Sequence, residues 1–484
     1  NTVPEVYQQI FKDLTFAVEK LPDAPRYKGT VAKNTARLFL SKAYLTFAWW
    51  LENPKGIATY PNCDRKDLDG KSAADYFQFA YNVALDGINN PGPFALMPTF
   101  RDLFLAENDR SNTEYMLIAD RTQTNEFYNG ANLGYGSGPA DNNAAWATTW
   151  NYELVRCYQK VNGEFLKDTT KKDGVVTKIT NHRDKPIHRE AAQAYGRPWT
   201  RMCPTQTALD YFTDRNKDSR YDASFITALR GNWVKGGMKN TEFFVDTIDQ
   251  NPIKNGDIVV LFPREAIDGV VYPENNGESE LNMGKKEGVP YWIVNPDRVN
   301  RWAHPALWKY GTYRTDNGDG LGSPNGSICR PFPICRFAEL YFIAAEAAVK
   351  GASGAKSAAD LINVIRERAG KWNYDNVLGE AVNEDFSSDL QVTDVDLDFI
   401  LDERAREFFG ESLRWYDLVR TQTWEERAGK YVIRDNNGKG VYNELKTVVR
   451  EIKPHYYLRP IPQGQLDAME MTPSEKAAFQ NPGY

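Results

Sequence analysis

The fold is decided by the stretch RFAELYFIAAEA, residues 336–347. Its apolar side chains recur three and four residues apart, and Gly351 stands just beyond them, which is typical of a helix that buries one face. A second run with this spacing begins at Ser357 and Asp360 and ends at Gly370. Two such helices joined by a short turn predict a helical hairpin.

The N-terminal end of the chain predicts three more helices of this kind. The first begins at the capping box of Thr2 and Glu5 and ends at Pro22, the second covers about residues 35–51, and the third covers residues 72–89. Paired amphipathic helices at both ends favour a mainly α, tetratricopeptide-like scaffold of helical hairpins, although the usual repeat consensus is not legible.

The long middle of the chain has a different composition. Residues 93–335 are rich in Gly, Asn, Asp and Tyr and hold only short apolar runs, such as Tyr115–Ala119, which predicts loops and short strands. One further helix is predicted from near Thr393 and Asp396 towards Thr423. Because no linker separates the two helical ends, we predict a single domain over residues 1–484. Its parts are a helical scaffold (1–92 and 336–425), a loop-rich ligand-binding or covering region (93–335) and a loop-rich tail (426–484).

Composition narrows the possible functions. The 59 basic and 65 acidic residues give a net charge of −6, which argues against a partner such as nucleic acid or an anionic membrane surface. No run reaches the roughly 18 apolar residues that a membrane-spanning helix needs. The 12 Trp and 26 Tyr exceed what packing normally requires, so we expect some of them to face a ligand. The five cysteines are far apart and are expected to be buried thiols.

Charged residues dominate the stretch ILDERAREFFGE, residues 400–411. Glu407 and Glu411 stand one helical turn apart, as do Arg404 and Phe408. We therefore expect this helix to join its neighbours through bidentate pairs between arginine and carboxylate, and we do not assign catalysis to it.

Several of these stretches together resemble the SusD/RagB family of outer-membrane lipoproteins. The resemblance rests on residues 336–347 and 362–370, on the charged stretch 400–411, on Pro-Ile-Pro at residues 460–462, and on the ending Gln-Asn-Pro-Gly-Tyr at residues 480–484. The N-terminal helices also look like those of the family, so the resemblance spans nearly the whole chain.

The resemblance implies a SusD-like fold and a function without covalent chemistry. Such proteins sit on the surface of Bacteroidota, attached to the outer membrane by a lipid. They capture an oligosaccharide or polysaccharide and act as the lid of a SusC-like TonB-dependent transporter. In the family a signal peptide, a lipid-bearing cysteine and a further segment precede these helices, so we expect the N-terminal part of the family domain to be absent here. A RagB-type lid for peptides and a helical-repeat scaffold without a small ligand stay open as alternatives.

Aromatic residues of the middle region are the candidate ligand contacts, because a flat sugar face stacks on Trp or Tyr while nearby polar groups bond its hydroxyls. They form two loop-like clusters, one over residues 127–152 and one over residues 291–310. Loops are also where binding groups concentrate. The predicted contacts are Tyr128, Tyr135, Trp146, Trp150, Tyr291, Trp292, Asn295 and Trp302.

Enzymatic, metal and cofactor roles have no positive support in the sequence. No carboxylate pair is marked out for glycoside hydrolysis, and the four histidines include no HExxH or i,i+4 pair. Gly134, Gly136 and Gly138 lack the strand and helix of a phosphate loop, and residues 316–320 lack the closing Glu of a calcium loop. We expect no catalytic residue, no metal and no cofactor.

Overall fold

The computed structural model describes residues 2–60, 62–121, 148–200, 202–249, 251–272, 281–324, 329–435 and 444–484. The longest helices lie towards the two ends of the chain, as the sequence predicts. Within the described ranges, none of them is both long enough and apolar enough to cross a membrane. The helices are α1 (Val3–Lys20), α2 (Lys33–Glu52), α3 (Ala73–Asn89), α4 (Phe100–Phe104), α5 (Gln206–Asp210), α6 (Arg220–Ser224), α7 (Ala338–Val349), α8 (Ala358–Ala369), α9 (Leu397–Glu407), α10 (Arg414–Arg420), α11 (Trp424–Ala428), α12 (Gln463–Ala468) and α13 (Pro473–Phe479).

Short strands fill the middle region, as predicted. They are β1 (Tyr115–Ala119), β2 (Thr148–Thr149), β3 (Cys157–Val161), β4 (Glu164–Phe165), β5 (Lys167–Lys172), β6 (Val175–Asn181), β7 (Arg183–Asp184), β8 (Arg197–Pro198), β9 (Phe225–Ile226), β10 (Ala228–Arg230), β11 (Phe243–Phe244), β12 (Ile258–Leu261), β13 (Trp292–Ile293), β14 (Ala306–Leu307), β15 (Phe332–Arg336), β16 (Lys371–Trp372), β17 (Glu384–Asp385), β18 (Lys430–Asp435) and β19 (Glu444–Val449). The larger sheets are β10-β12-β13 and β11-β3-β4, with β7 also paired to β3. The antiparallel pair of β1 and β15, with Ala119 opposite Phe332, ties the middle region to the start of α7.

The helices from the two ends of the chain form one scaffold. α1 packs on α2, α2 on α3, α3 on α7, and α7 on α8. The predicted capping boxes at Thr2 and Ser72 start α1 and α3, and a further capping box at Ser357 starts α8. Tyr81 of α3 donates a hydrogen bond of 2.7 Å to the carbonyl oxygen of Lys356, just before α8. The inward faces of these helices share a first hydrophobic core.

A second hydrophobic core lies in the middle region and is largely aromatic. Trp150 and Trp233 are at most 1% exposed in it. Phe212, Phe225 and Phe409 meet with ring centroids 5.0 to 5.6 Å apart. Because Phe409 comes from the turn after α9, this core is packed directly against the C-terminal half of the scaffold.

A buried ion network joins the two cores. Arg336 lies 4.3 Å from the ring of Phe408 in the first core and 5.8 Å from the ring of Phe104 in the second. Its guanidinium also pairs with Glu407 and Glu411, at 2.7 Å each. The charged stretch therefore joins neighbouring elements through arginine–carboxylate pairs, which confirms the prediction. The members of the ion network are Arg220, Arg336, Arg366, Arg368, Arg406 and Lys309 with Asp218, Glu114, Glu403, Glu407 and Glu411.

The last predicted helix is interrupted, so the prediction of one continuous helix is wrong. α9 ends at Glu407 and α10 begins at Arg414. Gly410 and Ser412 between them have φ angles of +79° and +61°, which a right-handed helix does not allow. A Cβ at Gly410 would lie 2.9 Å from a methyl carbon of Leu307, so only glycine permits the close approach of this turn to β14.

The tail after residue 426, which was predicted to be loop-rich, also contains the hairpin of β18 and β19 and the helices α12 and α13. The prediction that all five cysteines are buried needs correction. All five cysteines are free thiols, but only Cys157, Cys329 and Cys335 are buried as predicted, while Cys63 and Cys203 are partly exposed. Cys203 matters below because it stands between two pockets.

Candidate functional site

A pocket of about 530 Å³ opens between the middle region and the turn that joins α9 to α10. This volume falls within the range of about 300–1,000 Å³ that is typical of small-molecule sites. Met202, which is 40% exposed, and the exposed Ser412 stand among its lining residues and connect it to solvent. We call it the apolar pocket, since aromatic and aliphatic side chains form most of its wall. These include Met202, Tyr211, Phe225, Leu307, Phe409 and Trp415.

Segments far apart in the sequence bring these side chains together. β9 pairs with β14 so that Phe225 lies opposite Leu307. Phe409, in the turn after α9, lies 5.0 Å from the ring of Phe225. Trp415 is the second residue of α10, and the guanidinium of Arg459 covers its ring at 3.9 Å. The pocket wall is therefore fixed by packing and strand pairing on several sides.

The charged groups of this wall are held by protein partners. Arg404 Nη2 lies 2.8 Å from Asp417 Oδ1. Arg414 donates hydrogen bonds to the carbonyl oxygen of Leu401 at 2.6 Å and to the hydroxyl of Tyr211 at 2.9 Å. Burial raises the pKa of Asp417, but the neighbouring arginines outweigh that effect and lower it below its usual value. Across the residues that the structure describes, no group of three or more His, Cys, Asp or Glu side chains is placed to hold a metal ion.

His304 differs from these paired groups. It lines the apolar pocket and is fully buried. Its Nδ1 lies 3.3 Å from the carbonyl oxygen of Asn300, whereas its Nε2 makes no hydrogen bond within the described part of the chain. Burial lowers the pKa of His304 to about 4, so the imidazole is neutral near pH 7. The pocket thus contains a neutral ring with one unused nitrogen.

A second pocket of about 330 Å³ adjoins the first and shares Met202, Cys203 and Pro204 with it. Burial raises the pKa of the Cys203 thiol to about 12, so this residue stays protonated. We call this second space the polar pocket, because its wall adds side chains that can donate or accept hydrogen bonds. These are Thr200, Gln206, Asn300, Arg301 and Arg434.

An exposed tryptophan stands beside the polar pocket. Trp199 is 54% exposed and directly precedes Thr200, which lines that pocket. Its backbone N–H donates to the carbonyl oxygen of Thr149 at 3.1 Å, which continues the pairing of β8 with β2. The guanidinium of Arg197 lies 5.3 Å from its ring centroid. The backbone of this indole is therefore anchored while its ring remains open to solvent.

The predicted contacts of the first aromatic cluster divide into two groups. Tyr128, Tyr135 and Trp146 lie outside the described residues. Trp150 is 1% exposed, and its ring stands edge-on to Tyr152 and to Phe262 at centroid distances of 6.1 and 6.0 Å. The structure thus places Trp150 within the second core, where it presents no face to solvent.

The predicted contacts of the second cluster are partly or fully buried. Trp292 and Trp302 pack against the second core, and Tyr291 is half-buried beside Trp292. Asn295 is 7% exposed, and its side chain both accepts from the backbone N–H of Ile267 and donates to its carbonyl oxygen, at 3.0 Å each. Asn295 therefore fixes a loop. Trp302 lies next to the polar pocket, since Arg301 of that pocket stands 5.3 Å from its ring.

Trp199 and two residues that line the apolar pocket, Trp415 and His304, were not predicted from the sequence. Trp199 follows Pro198 in a segment without apolar alternation, which is the loop-like signal that also selected Trp146 and could have found it. Trp415 belongs to a helical run, where packing against the scaffold is the expected role of a tryptophan. His304 stands alone between small and rigid residues, with no partner histidine to draw attention to it.

Comparison with known sequences gives one family match. The sequence profile of the SusD family matches residues 113–484 of the chain. Over 491 aligned residues the chain is 24% identical to the SusD-like protein P2 of Formosa agariphila, and the alignment covers 99% of this chain. The chain spans 65% of the length of that relative.

Two solved structures align with nearly the whole of this chain. Surface glycan-binding protein A from Bacteroides thetaiotaomicron, in complex with laminarihexaose, aligns with a TM-score of 0.49 and 17% identity over 98% of this chain and 70% of that one. A SusD-like protein from Bacteroides fragilis aligns with a TM-score of 0.48 and 16% identity over 99% of this chain and 71% of that one.

Proposed function

The chain belongs to the SusD family, and on that premise we propose that it captures oligosaccharide or polysaccharide at the bacterial cell surface. In this proposal it is the lid of a SusC-like TonB-dependent transporter that imports the bound nutrient through the outer membrane. The full-length protein is attached to that membrane by an N-terminal lipid. It makes no covalent change to its ligand.

The observation that carries the glycan proposal is the exposed indole of Trp199 beside the polar pocket. Sugar rings bind where one apolar face can stack on an aromatic ring while polar groups at the edge reach the hydroxyls. Trp199 supplies such a face. Thr200, Gln206 and Arg301 supply groups for the hydroxyls within the adjoining pocket.

The other predicted contacts extend this site in the proposal. Tyr128, Tyr135 and Trp146 are kept as proposed ligand contacts because they stand in a polar, Gly- and Asn-rich sequence that is typical of a binding loop. Trp302 is assigned to the ligand through its neighbour Arg301. Tyr291 and Trp292 are kept as proposed contacts because they flank loop-like sequence. Trp150 is left out, since it is buried in the second core.

Native affinity electrophoresis tests the proposal. The chain is run through gels that contain starch, laminarin, levan, xylan, mannan or pectin, with a sugar-release assay alongside. Retardation by a glycan without release of product supports capture, whereas product release contradicts the non-enzymatic role. If every glycan leaves the mobility unchanged and a peptide mixture binds, the ligand is a peptide and the glycan proposal fails.

Replacing Trp199 by alanine locates the site. Trp199→Ala is expected to weaken glycan binding about five-fold, since an aromatic stacking contact contributes roughly 1 kcal/mol beyond its buried area. Phe16→Ala is the matched control, because Phe16 is 61% exposed and also has one cation, Lys20, 5.8 Å from its ring. Thermal unfolding midpoints should stay equal in both variants. Equal loss of binding in the two variants would remove Trp199 from the site.

Isolation of the lipidated full-length protein tests the transporter partnership separately. The tagged protein is purified from native outer membranes in a mild detergent, and its companions are identified by mass spectrometry. Co-purification of a TonB-dependent barrel at a fixed ratio supports the lid role. Recovery of the protein without a barrel, under conditions in which other outer-membrane complexes survive, would overturn it and leave glycan binding as a separate question.

A further inference from the structure

The apolar pocket offers different groups from those that a bare sugar needs. Rings and aliphatic side chains form most of its wall, and its arginines are held by Asp417, Leu401 and Tyr211. A pyranose buried there would lose the hydrogen bonds that its hydroxyls make with water and would find few replacements. A planar aromatic group would instead gain from burial between the rings of Phe409 and Trp415.

His304 adds one polar requirement to this apolar space. Its Nδ1 lies 3.3 Å from the carbonyl oxygen of Asn300. A carbonyl oxygen can only accept a hydrogen bond, so the tautomer that makes this contact carries its proton on Nδ1. In the neutral imidazole the other nitrogen, Nε2, is then an acceptor, and it makes no hydrogen bond within the described residues. The matching ligand group is therefore a hydroxyl donor.

We propose that the apolar pocket binds a hydroxyaryl group, so that the ligand of this chain is a glycan carrying a phenolic substituent such as a hydroxycinnamoyl ester. This inference rests on the proposed glycan function. The aromatic ring lies among Tyr211, Phe409 and Trp415, and its hydroxyl donates to Nε2 of His304. The sugar to which it is attached lies in the polar pocket.

The contact between the two pockets supports this division of the ligand. Met202, Cys203 and Pro204 line both spaces, so a molecule can extend from one to the other without leaving the site. Trp199 stands on the polar side, next to Thr200. A ligand with a sugar part and an aromatic part can therefore stack its sugar on Trp199 and bury its aromatic group in the apolar pocket. A bare glycan would use Trp199 and the polar pocket but leave the apolar pocket empty.

Two small probes test the pocket without reference to any glycan. Isothermal titration calorimetry at pH 7 compares methyl 4-hydroxycinnamate with methyl cinnamate, which lacks the hydroxyl. The hydroxylated probe is expected to bind about ten-fold more tightly, because methyl cinnamate leaves Nε2 of His304 buried without a partner. Equal affinities, or no binding of either probe, would overturn the proposal.

A pocket-filling variant shows where the probe binds. Ala208 lines the apolar pocket, and Ala208→Trp should abolish binding of methyl 4-hydroxycinnamate. Ala17→Trp on α1 is the matched control, since Ala17 is also a half-buried helical alanine, and it should bind the probe with unchanged affinity. Unchanged binding by a folded Ala208→Trp variant would show that the probe binds elsewhere and would refute the assignment.

A pair of glycans separates this inference from the proposed function. Affinity gels contain either a glycan that carries hydroxycinnamoyl esters or the same glycan after mild alkaline removal of the esters. Retardation at least about five-fold stronger in the esterified glycan supports the inference. Equal retardation by both forms overturns it and leaves the glycan function standing. If neither form retards the chain but a tyrosine-containing peptide binds, both proposals fail.

Discussion

Replacing Arg336 by methionine tests the ion network that joins the two cores. The guanidinium of Arg336 is 1% exposed and pairs with Glu114, Glu407 and Glu411 at 2.6, 2.7 and 2.7 Å. Methionine keeps the apolar stem but leaves these carboxylates buried beside too few cations. Breaking a buried ion pair from one side costs about 3–5 kcal/mol, so the free energy of unfolding should fall by about that amount.

The acid dependence of stability gives an independent value for the same network. Burial alone raises the pKa of Glu407, but the charges of Arg368, Arg336 and Arg220 outweigh it and lower the pKa from its ordinary value of 4.5 to about 2. Between pH 4.5 and 2 the unfolded chain therefore binds more protons than the folded chain, and stability falls as the pH falls. The contribution that is lost over this window is roughly 3 kcal/mol. Glu407→Gln should remove that part of the acid dependence.

Urea unfolding, followed by both circular dichroism and tryptophan fluorescence, measures these effects at pH 7 and at several pH values between 4.5 and 2. Arg110→Met is the control, because the pair of Arg110 with Asp120 at 2.5 Å is more than half exposed on both sides. Its loss should cost less than about 1 kcal/mol, since exposed ion pairs contribute little. If Arg336→Met and Arg110→Met lower the unfolding midpoint equally, the buried network does not stabilise the fold in the way that its geometry indicates.

The turn after α9 and the buried thiols give two further predictions. Gly410→Ala should lower the free energy of unfolding by about 2–4 kcal/mol, because the new methyl group crowds Leu307 and alanine is strained at a positive φ. Gly56, at φ +65° with open space around it, is the control, and Gly56→Ala should show only the backbone strain. Equal losses of unfolding free energy in urea would contradict the crowding at Leu307. Burial raises the pKa of Cys157 to about 12 and that of Cys335 still further, so Ellman's reagent at pH 8 should modify both only after unfolding. Rapid reaction of either thiol in the native protein would contradict their burial.

The helical scaffold could be predicted because its signals are local. Capping boxes at Ser72 and Ser357 mark where helices begin, and the apolar spacing after them identifies the buried face. The interruption after α9 was missed although the spacing changes there. Phe408, Leu413 and Leu418 stand five residues apart, not three or four, and nothing in the sequence shows that Gly410 must fit against β14.

The site could be predicted only in part because its wall is assembled by the tertiary fold. Phe225 and Leu307 meet through strand pairing, while Phe409 reaches them from the scaffold. Sequence reasoning selected aromatic residues in loop-like surroundings, and that criterion does not separate an exposed ring from a buried one. Trp150 is 1% exposed and Trp199 is 54% exposed, although both stand in polar, irregular sequence.

The ion network and the apolar pocket meet in one short turn, and this links stability to binding. Phe408, Phe409 and Gly410 line the pocket, while Glu407 and Glu411 on either side belong to the network. The carbonyl oxygens of residues 407 and 409 accept hydrogen bonds of 3.0 and 3.1 Å from Nζ of Lys309, and that of residue 407 also accepts one of 2.8 Å from Arg336. Buried charge therefore holds the backbone of the turn while its side chains face the ligand space. A rigid wall loses little conformational entropy when a ligand binds. A network variant such as Arg336→Met should thus weaken probe binding as well as stability, even though Arg336 does not line the pocket.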